Sequence, residues 1–184
     1  MKPVLSALLV VGLMASSSVE TAAQNMPTPL IAVLDVQGIL KNSLAAKSIR
    51  PQVRKLRTAF QKDVQRQQDG LRKAEQTLAQ QRTILSSEAY AGKRRDYESR
   101  ARQAQRDVQA QKRTLDSAFG AAMERVRRSL IIVTQELAKE RKVNIVLPKS
   151  VVLLSIKKLD ITKQALKRLD KRLPVVKVVV KEKK

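Results

Sequence analysis

Two long stretches of the chain carry their apolar residues in steps of three and four. The first runs from Pro51 to Leu85 and the second from Ser87 to Lys142. Such a repeat is typical of the seam of a coiled coil. The first seam comprises Val53, Leu56, Phe60, Val64, Leu71, Ala74, Leu78 and Leu85, with Gln67 and Gln81 filling its gaps. The second comprises Tyr90, Tyr97, Ala101, Ala104, Val108, Leu115, Phe119, Ala122, Val126, Leu130, Val133 and Leu137.

Between the two stretches, the segment LSSEAYAG interrupts the pattern. Ser86 or Ser87 can cap a new helix, and Glu88 suits the positive end of that helix. We therefore predict a turn here and an antiparallel helical hairpin whose two seams face each other. At a rise of about 1.5 Å per residue, the helices would reach ~50 and ~85 Å, which makes a long arm without a globular core of its own.

Short apolar runs flank this arm. Leu30 to Val36 predicts one strand that Gly38 ends, and KVNIVLPKSVVLLS, residues 142 to 155, predicts a hairpin of two strands with a Pro-Lys turn. A sheet of three strands with open edges is too small to be stable alone. We therefore expect it to pair between chains, so that the protein is an oligomer. The predicted oligomerisation residues are Ile31, Val33, Ile145, Leu147, Val152 and Leu154.

The C-terminal part follows the hairpin. Asp160 can cap a short helix whose apolar face carries Ile161, Ala165, Leu166 and Leu169. The chain then closes with PVVKVVVKEKK, which predicts either an extra edge strand or a disordered basic tail.

The N-terminus has the three-part pattern of a secretory signal peptide. Lys2 precedes an apolar run, and small polar residues follow it up to a cleavage site expected after Ala23. A membrane anchor is disfavoured, because the run from Val4 to Ala15 is shorter than the ~20 residues that span a bilayer. The mature chain is thus expected outside the cytoplasm.

These elements predict a mostly helical α+β protein with four parts. We expect a signal peptide at residues 1–23 and a discontinuous β-rich oligomerisation body at 24–50 and 143–173. The helical hairpin arm then occupies residues 51–142, and a basic C-terminal extension occupies residues 174–184.

The amino-acid composition narrows the range of possible functions. The chain has 38 Lys and Arg against 16 Asp and Glu, a net charge of +22, so acidic partners are favoured. The arm alone carries 22 basic and 11 acidic residues, a net charge of +11. The absence of Cys and His removes thiol nucleophiles, imidazole bases and the commonest zinc ligands. No phosphate-binding loop or metal-spaced set is present, so we expect neither an enzyme nor a cofactor.

The order of signal peptide, strand, long helical hairpin, strand pair and short helix resembles the Skp/OmpH family of periplasmic chaperones. The residues that carry the resemblance are IAVLDVQGIL, VNIVLPKSVVLLS and the DIT of Asp160 to Thr162. The resemblance spans about residues 29 to 173. It implies a jellyfish-like homotrimer with a small β-barrel body, from which three arms extend around a cavity.

The resemblance also implies a function. Such a protein would act in the periplasm without ATP as a holdase, binding unfolded outer-membrane β-barrel proteins and preventing their aggregation before membrane insertion. Its contact with the outer-membrane assembly machinery would be indirect. We predict that clients contact basic side chains of the arm, namely Arg66, Arg72, Arg82, Lys93, Arg94, Arg95, Arg100 and Arg106.

Other interpretations stay open. The basic arm tip can contact anionic lipid or lipopolysaccharide, although a solvated helix face is the commoner meaning of a charge run. A nucleic-acid-binding protein would suit the charge but not the export signal, and no specific nucleic-acid partner is expected. A tether between envelope layers is a further alternative. Gly70 and Gly120 can serve as hinges of the arm or as sites of close helix packing.

Overall fold

The computed structural model describes residues 27–180 of the 184. Strand β1, Ile31–Leu34, leads into helix α1, Val36–Asn42, and helix α2, Leu44–Gln81. Helix α3, Ser87–Glu140, returns to strand β2, Ile145–Pro148, and helix α4, Thr162–Arg172, follows. The predicted signal peptide lies outside the described residues. The division into four parts stays a prediction.

Helices α2 and α3 form the predicted hairpin. Ser86 caps α3, because its side-chain oxygen accepts a hydrogen bond from the Ala89 backbone N–H at 3.3 Å, and Glu88 lies in the first turn. Helix α3 is 54 residues long and ends where Lys142 adopts φ 57°, in the left-handed region. The mostly helical fold with a long hairpin and a small sheet is therefore confirmed.

The predicted seam is the shielded side of the arm, with one exception. All ten positions of the first seam, including Gln67 and Gln81, are half-buried. On α3, however, Phe119 is 43% exposed, whereas Ala118 is only 5% exposed. From Leu115, a step of three leads to Ala118 and a step of four leads to Phe119, and both steps fit a helix. The small Ala118 takes the inner position, where it lines the same narrow groove as Val179 of the C-terminal segment.

Helix α2 begins at Leu44, not at Pro51 as the sequence predicted. The Ser43 side chain accepts a hydrogen bond from Ala46 N–H and caps the helix seven residues earlier. Pro51 lies inside the helix and supplies no N–H to its ladder. The next residue, Gln52, donates a hydrogen bond from its side-chain amide to the Ser48 carbonyl at 2.8 Å, which adds a hydrogen bond beside the proline.

The sheet has two strands within the described residues, not three. Strands β1 and β2 are parallel, with Ile31 opposite Ile145 and Val33 opposite Leu147. On the other edge of β1, Val33 forms a bridge with Asp160. Lys149–Val151 is a 3₁₀ turn, and Val152 to Leu154 form no strand, so the predicted hairpin is wrong for this single chain. A strand needs a neighbour for its N–H and C=O groups, and Val152 to Leu154 pair with no strand within the described residues.

The core lies in the body and at the base of the arm. The predicted inner face of α4 is confirmed, because Ile161, Ala165 and Leu169 are buried and Leu166 is partly buried. Asp160 holds the start of this helix, since its carboxylate accepts a hydrogen bond from Thr162 N–H at 2.8 Å. The C-terminal segment, residues 173–180, is neither a strand nor a detached tail: it lies against α2 and buries Val176.

Candidate functional site

The predicted basic residues all lie on the solvent face of the arm. Two of them are neutralised locally, because Arg66 pairs with Asp63 and Arg94 pairs with Glu98, each at 2.9 Å. The hydrogen bond from the Arg94 guanidinium to Glu98 also raises the pKa of Arg94. Arg106 donates instead to the neutral side chain of Gln103. Among residues 27–180, salt bridges are absent at the exposed side chains of Arg72, Arg82, Lys93, Arg95 and Arg100.

The structure brings only part of this set together. Arg82 lies at the C-terminal end of α2, and Lys93, Arg94 and Arg95 lie in the second and third turns of α3, beside the same turn. Arg100 follows at roughly 20 Å from the turn, at 1.5 Å per residue. Arg72 lies on α2 at about 14 Å from the end of that helix, and Arg66 and Arg106 are further down the arm. The arm therefore presents a cationic tip and a more dispersed cationic shaft.

A polar layer crosses the middle of the arm. The Asp63 carboxylate accepts hydrogen bonds from Gln111 of α3 at 3.1 Å and from Gln67 at 3.3 Å. The Gln111 hydrogen bond, followed by the Arg66 contact, lowers the pKa of Asp63. The Gln67 side-chain oxygen is buried and has no partner. The seam pattern, in which Gln67 fills a gap, did not predict this layer, although Gln111 lies three residues beyond Val108 of the second seam.

This layer makes the middle of the arm sensitive to acid. The stabilising effect of ionised Asp63 is fully present above its ordinary pKa of about 3.8 and is lost as the pH falls through the lower pKa of the folded state. Asp63→Asn should reduce hydrogen-exchange protection around Asp63 and Gln111 at neutral pH. The difference from wild type should vanish in acid.

Asp107 offers a matched control for that experiment. It accepts a hydrogen bond from Gln103 on its own helix but none from α2. Asp107→Asn should therefore leave protection between the helices unchanged. Equal protection of wild type and Asp63→Asn at neutral pH would contradict a stabilising role for the layer.

The glycines of the arm have open surroundings. Apart from its own helix backbone, a Cβ atom added to Gly70 or Gly120 would meet nothing within 4 Å, so close packing against the other helix does not explain these glycines. Glycine inside a helix costs about 1 kcal/mol relative to alanine. We expect Gly70→Ala with Gly120→Ala to stabilise and stiffen the arm.

Spin labels can measure that stiffening, because the chain has no native Cys to interfere. With labels at Ser87→Cys near the tip and Lys171→Cys on α4, the double alanine variant should show a narrower distance distribution. Gly92→Ala, another open site but close to the turn, is the control. An unchanged distribution in the double variant would rule out the hinge hypothesis.

The sheet exposes an apolar edge. Within the described residues β1 is flanked on both sides, by β2 and by the Asp160 bridge, whereas β2 has β1 on one side only. Ile31 and Ile145 lie opposite each other and are exposed. The segment after β2 is more exposed still: Leu153 is fully exposed and Leu154 is 90% exposed. We name Ile145 to Ile156 the β2 edge.

The six predicted oligomerisation residues divide into three groups. Val33 is buried in the core of the single chain, while Leu147 and Val152 are half-buried. Ile31, Ile145 and Leu154 are exposed. Sequence analysis missed Leu153, Val151 and Ile156, which are all exposed. The uninterrupted apolar run VVLL, residues 151 to 154, was the sequence signal for an interface here. Such a run is usually buried on both faces or covered by a partner.

No group of three or more Asp and Glu side chains in residues 27–180 could hold a metal ion. Over the same residues, no helix is long and apolar enough to cross a membrane.

A small parallel sheet that bears a long, cationic helical hairpin defines an elongated arm-and-body protein. A protein-family model described as outer membrane protein (OmpH-like) matches residues 30–169. The chain therefore belongs to the OmpH-like family, which confirms the resemblance. The family is non-enzymatic, and so is this protein.

A solved structure shares the fold. It is the crystal structure of a protein from Caulobacter crescentus CB15 that is described as an OmpH-like outer membrane chaperone. The TM-score is 0.76 at 17% sequence identity, and the alignment covers 85% of this chain and 93% of the other. A comparison with curated proteins found no significant match.

Proposed function

We propose that this protein is an ATP-independent periplasmic holdase chaperone. It binds unfolded outer-membrane β-barrel proteins in a basic cavity between helical arms and prevents their aggregation before membrane insertion. Family membership supports a chaperone role, and the fold is shared with a protein described as an outer membrane chaperone. The observation that carries the proposal is the arm itself, which presents exposed cations along two long helices.

Long-range attraction and weak apolar contact would act together. Unfolded β-barrel proteins have alternating apolar residues, and acidic ones are attracted to a cationic arm. This attraction is screened beyond ~8 Å at physiological salt. Exposed apolar side chains are scattered along the arm, at Ile84 near the tip and at Phe119 lower down. Such dispersed contacts would hold a client loosely, which allows release without ATP.

A cavity between arms requires several chains, and we propose that the β2 edge assembles them into a homotrimer. An apolar edge with unpaired backbone groups is a template for pairing with another chain. Val151, Leu153, Leu154 and Ile156 of this edge are also exposed, and grouped exposed apolar side chains mark interaction sites in many proteins. Arms attached to a common body would then surround one space.

An aggregation assay tests the proposal. A denatured outer-membrane β-barrel protein is diluted into buffer with and without the mature chain, and the mixture is sized by a mass-resolved method. We expect a soluble complex of three chains with one client, weakening as salt rises. A client that precipitates unchanged beside an intact trimer would favour the tether or a lipid-binding role.

A second candidate ligand follows from the cationic tip. Arg82, Lys93 and Arg95 are exposed, without a salt bridge in the described part of the chain, and close to the same turn. Anionic lipid or lipopolysaccharide would suit them. Sedimentation with anionic vesicles, compared with neutral vesicles, tests this contact. Equal sedimentation with both would exclude it.

A further inference from the structure

The C-terminal segment lies beyond the part of the chain that the family model matches. That match ends at residue 169, and helix α4 ends at Arg172. The segment from residue 174 to 180 then runs in an extended path along the base of the arm. Val176 is only 2% exposed, Val178 packs partly buried against the same core, and Val175 and Val179 are exposed.

Two polar side chains of α2 hold this segment by its backbone. Val176 N–H donates to the Ser48 hydroxyl oxygen at 3.0 Å. Gln52 then donates from its amide nitrogen to the Val176 carbonyl at 2.8 Å, and its amide oxygen accepts from Val178 N–H at 3.0 Å. The Gln52 amide therefore contacts residues i and i+2 of the segment, as a neighbouring β-strand would.

Further along, the segment reaches α3. Val179 and the α3 residues Ala110, Thr114 and Ala118 line an open groove of about 400 Å³. Small side chains here allow an extended backbone to lie close to the helix. We name the surface formed by Ser48 and Gln52 with Ala110, Thr114 and Ala118 the tail groove.

The hydrogen bonds of the tail groove place little demand on the sequence of the segment that it binds. All three hydrogen bonds go to main-chain atoms, and only alternate side chains, those of Val176 and Val178, turn towards the core. Recognition of an extended strand through its main chain, with pockets for alternate side chains, is a general mode of peptide binding. Alternating apolar residues are also the pattern of a transmembrane β-strand.

We propose that the tail groove is a binding site for an extended, alternately apolar polypeptide segment. Residues 174–180 occupy it in the free protein, and a client segment displaces them. The identity of this partner as a chaperone client rests on the proposed function. A tethered competitor that fills the site about nine-tenths of the time would reduce the apparent affinity roughly ten-fold.

A labelled peptide tests the groove directly. The peptide PVVKVVV, which reproduces residues 174–180, is added to a chain that ends at Leu173 and to the full chain, and binding is followed by fluorescence anisotropy. We expect binding to the shortened chain and at least ten-fold weaker binding to the full chain. A peptide methylated on the nitrogen of its fifth residue, the equivalent of Val178, lacks one N–H donor and should not bind.

Variants of α2 keep the test specific. Gln52→Ala in the shortened chain should abolish peptide binding, whereas Gln61→Ala, an exposed glutamine of the same helix, should not. If the shortened chain does not fold, Val176→Asp in the full chain serves instead, because a charge at this buried position releases the segment. Failure of the peptide to bind a folded chain with an open groove would overturn the proposal.

The client measurement separates this proposal from the proposed function. An unfolded β-barrel protein should bind the shortened chain roughly ten-fold more tightly than the full chain. Equal affinities would overturn the displacement and leave the segment as a brace at the base of the arm, with the chaperone role intact. If both chains instead fail to protect the client while the peptide still binds the shortened chain, that result would contradict the chaperone role. It would leave the tail groove as a peptide-binding site.

Discussion

Replacing Leu153 and Leu154 with Asp is expected to reduce the assembled protein to single chains. Both leucines are almost fully exposed in the single chain and follow the open side of β2. In an assembled body they would be covered, and two carboxylates buried without partners cost several kcal/mol each. Light scattering after size-exclusion chromatography measures the mass of the assembly directly.

The control for this variant is Ile84→Asp. It introduces the same charge at another exposed aliphatic residue, but at the far end of the arm. Its mass should equal that of the wild type. A double variant that keeps the wild-type mass, or a wild-type chain that is itself a monomer, would contradict assembly through the β2 edge.

Removing five unpaired cations from the outer half of the arm should slow the capture of an acidic client by about ten-fold at low salt, because steering by charge changes association rates by roughly 10 to 1,000. The variant replaces five residues with Gln, namely Arg72, Arg82, Lys93, Arg95 and Arg100. Stopped-flow fluorescence of a labelled unfolded β-barrel protein gives the association rate. The rate should also depend less on salt than that of the wild type.

A body variant with the same change in net charge separates local from global attraction. It replaces five exposed lysines near α4 with Gln, namely Lys157, Lys158, Lys163, Lys167 and Lys171. None of these forms a salt bridge within residues 27–180. Capture should slow much less than in the arm variant. Equal slowing in the two variants would show that net charge, not the arm, attracts the client.

The helical part of the fold could be predicted from the sequence because its determinants are local. Apolar steps of three and four mark the inner face of α2 and α3, and the serine cap marks the turn at Ser86. The same is true of α4. At its start, the Asp160 carboxylate accepts a hydrogen bond from the backbone N–H of Thr162, only two residues away. The predicted signal peptide is also a local pattern, and it lies outside the described residues.

The candidate site could be predicted only in part. The basic residues were visible in the sequence, but ion pairs decide which of them are free to attract a partner. Asp63 neutralises Arg66 while also accepting a hydrogen bond from Gln111, which is 48 residues away. The tail groove was not predicted at all, because its hydrogen bonds join Gln52 to residues more than 120 positions later.

The sequence by itself determined the hairpin arm, its cationic surface, the cap at its turn and the membership of the family. Only the tertiary structure decided that β2 pairs in parallel with β1, that Ala118 rather than Phe119 faces inward, and that the last described residues lie on α2. The physical reason is the range of the interactions. Periodicity and capping act within a few residues, whereas strand partners, close helix approach and main-chain contacts depend on which distant segments share the same space.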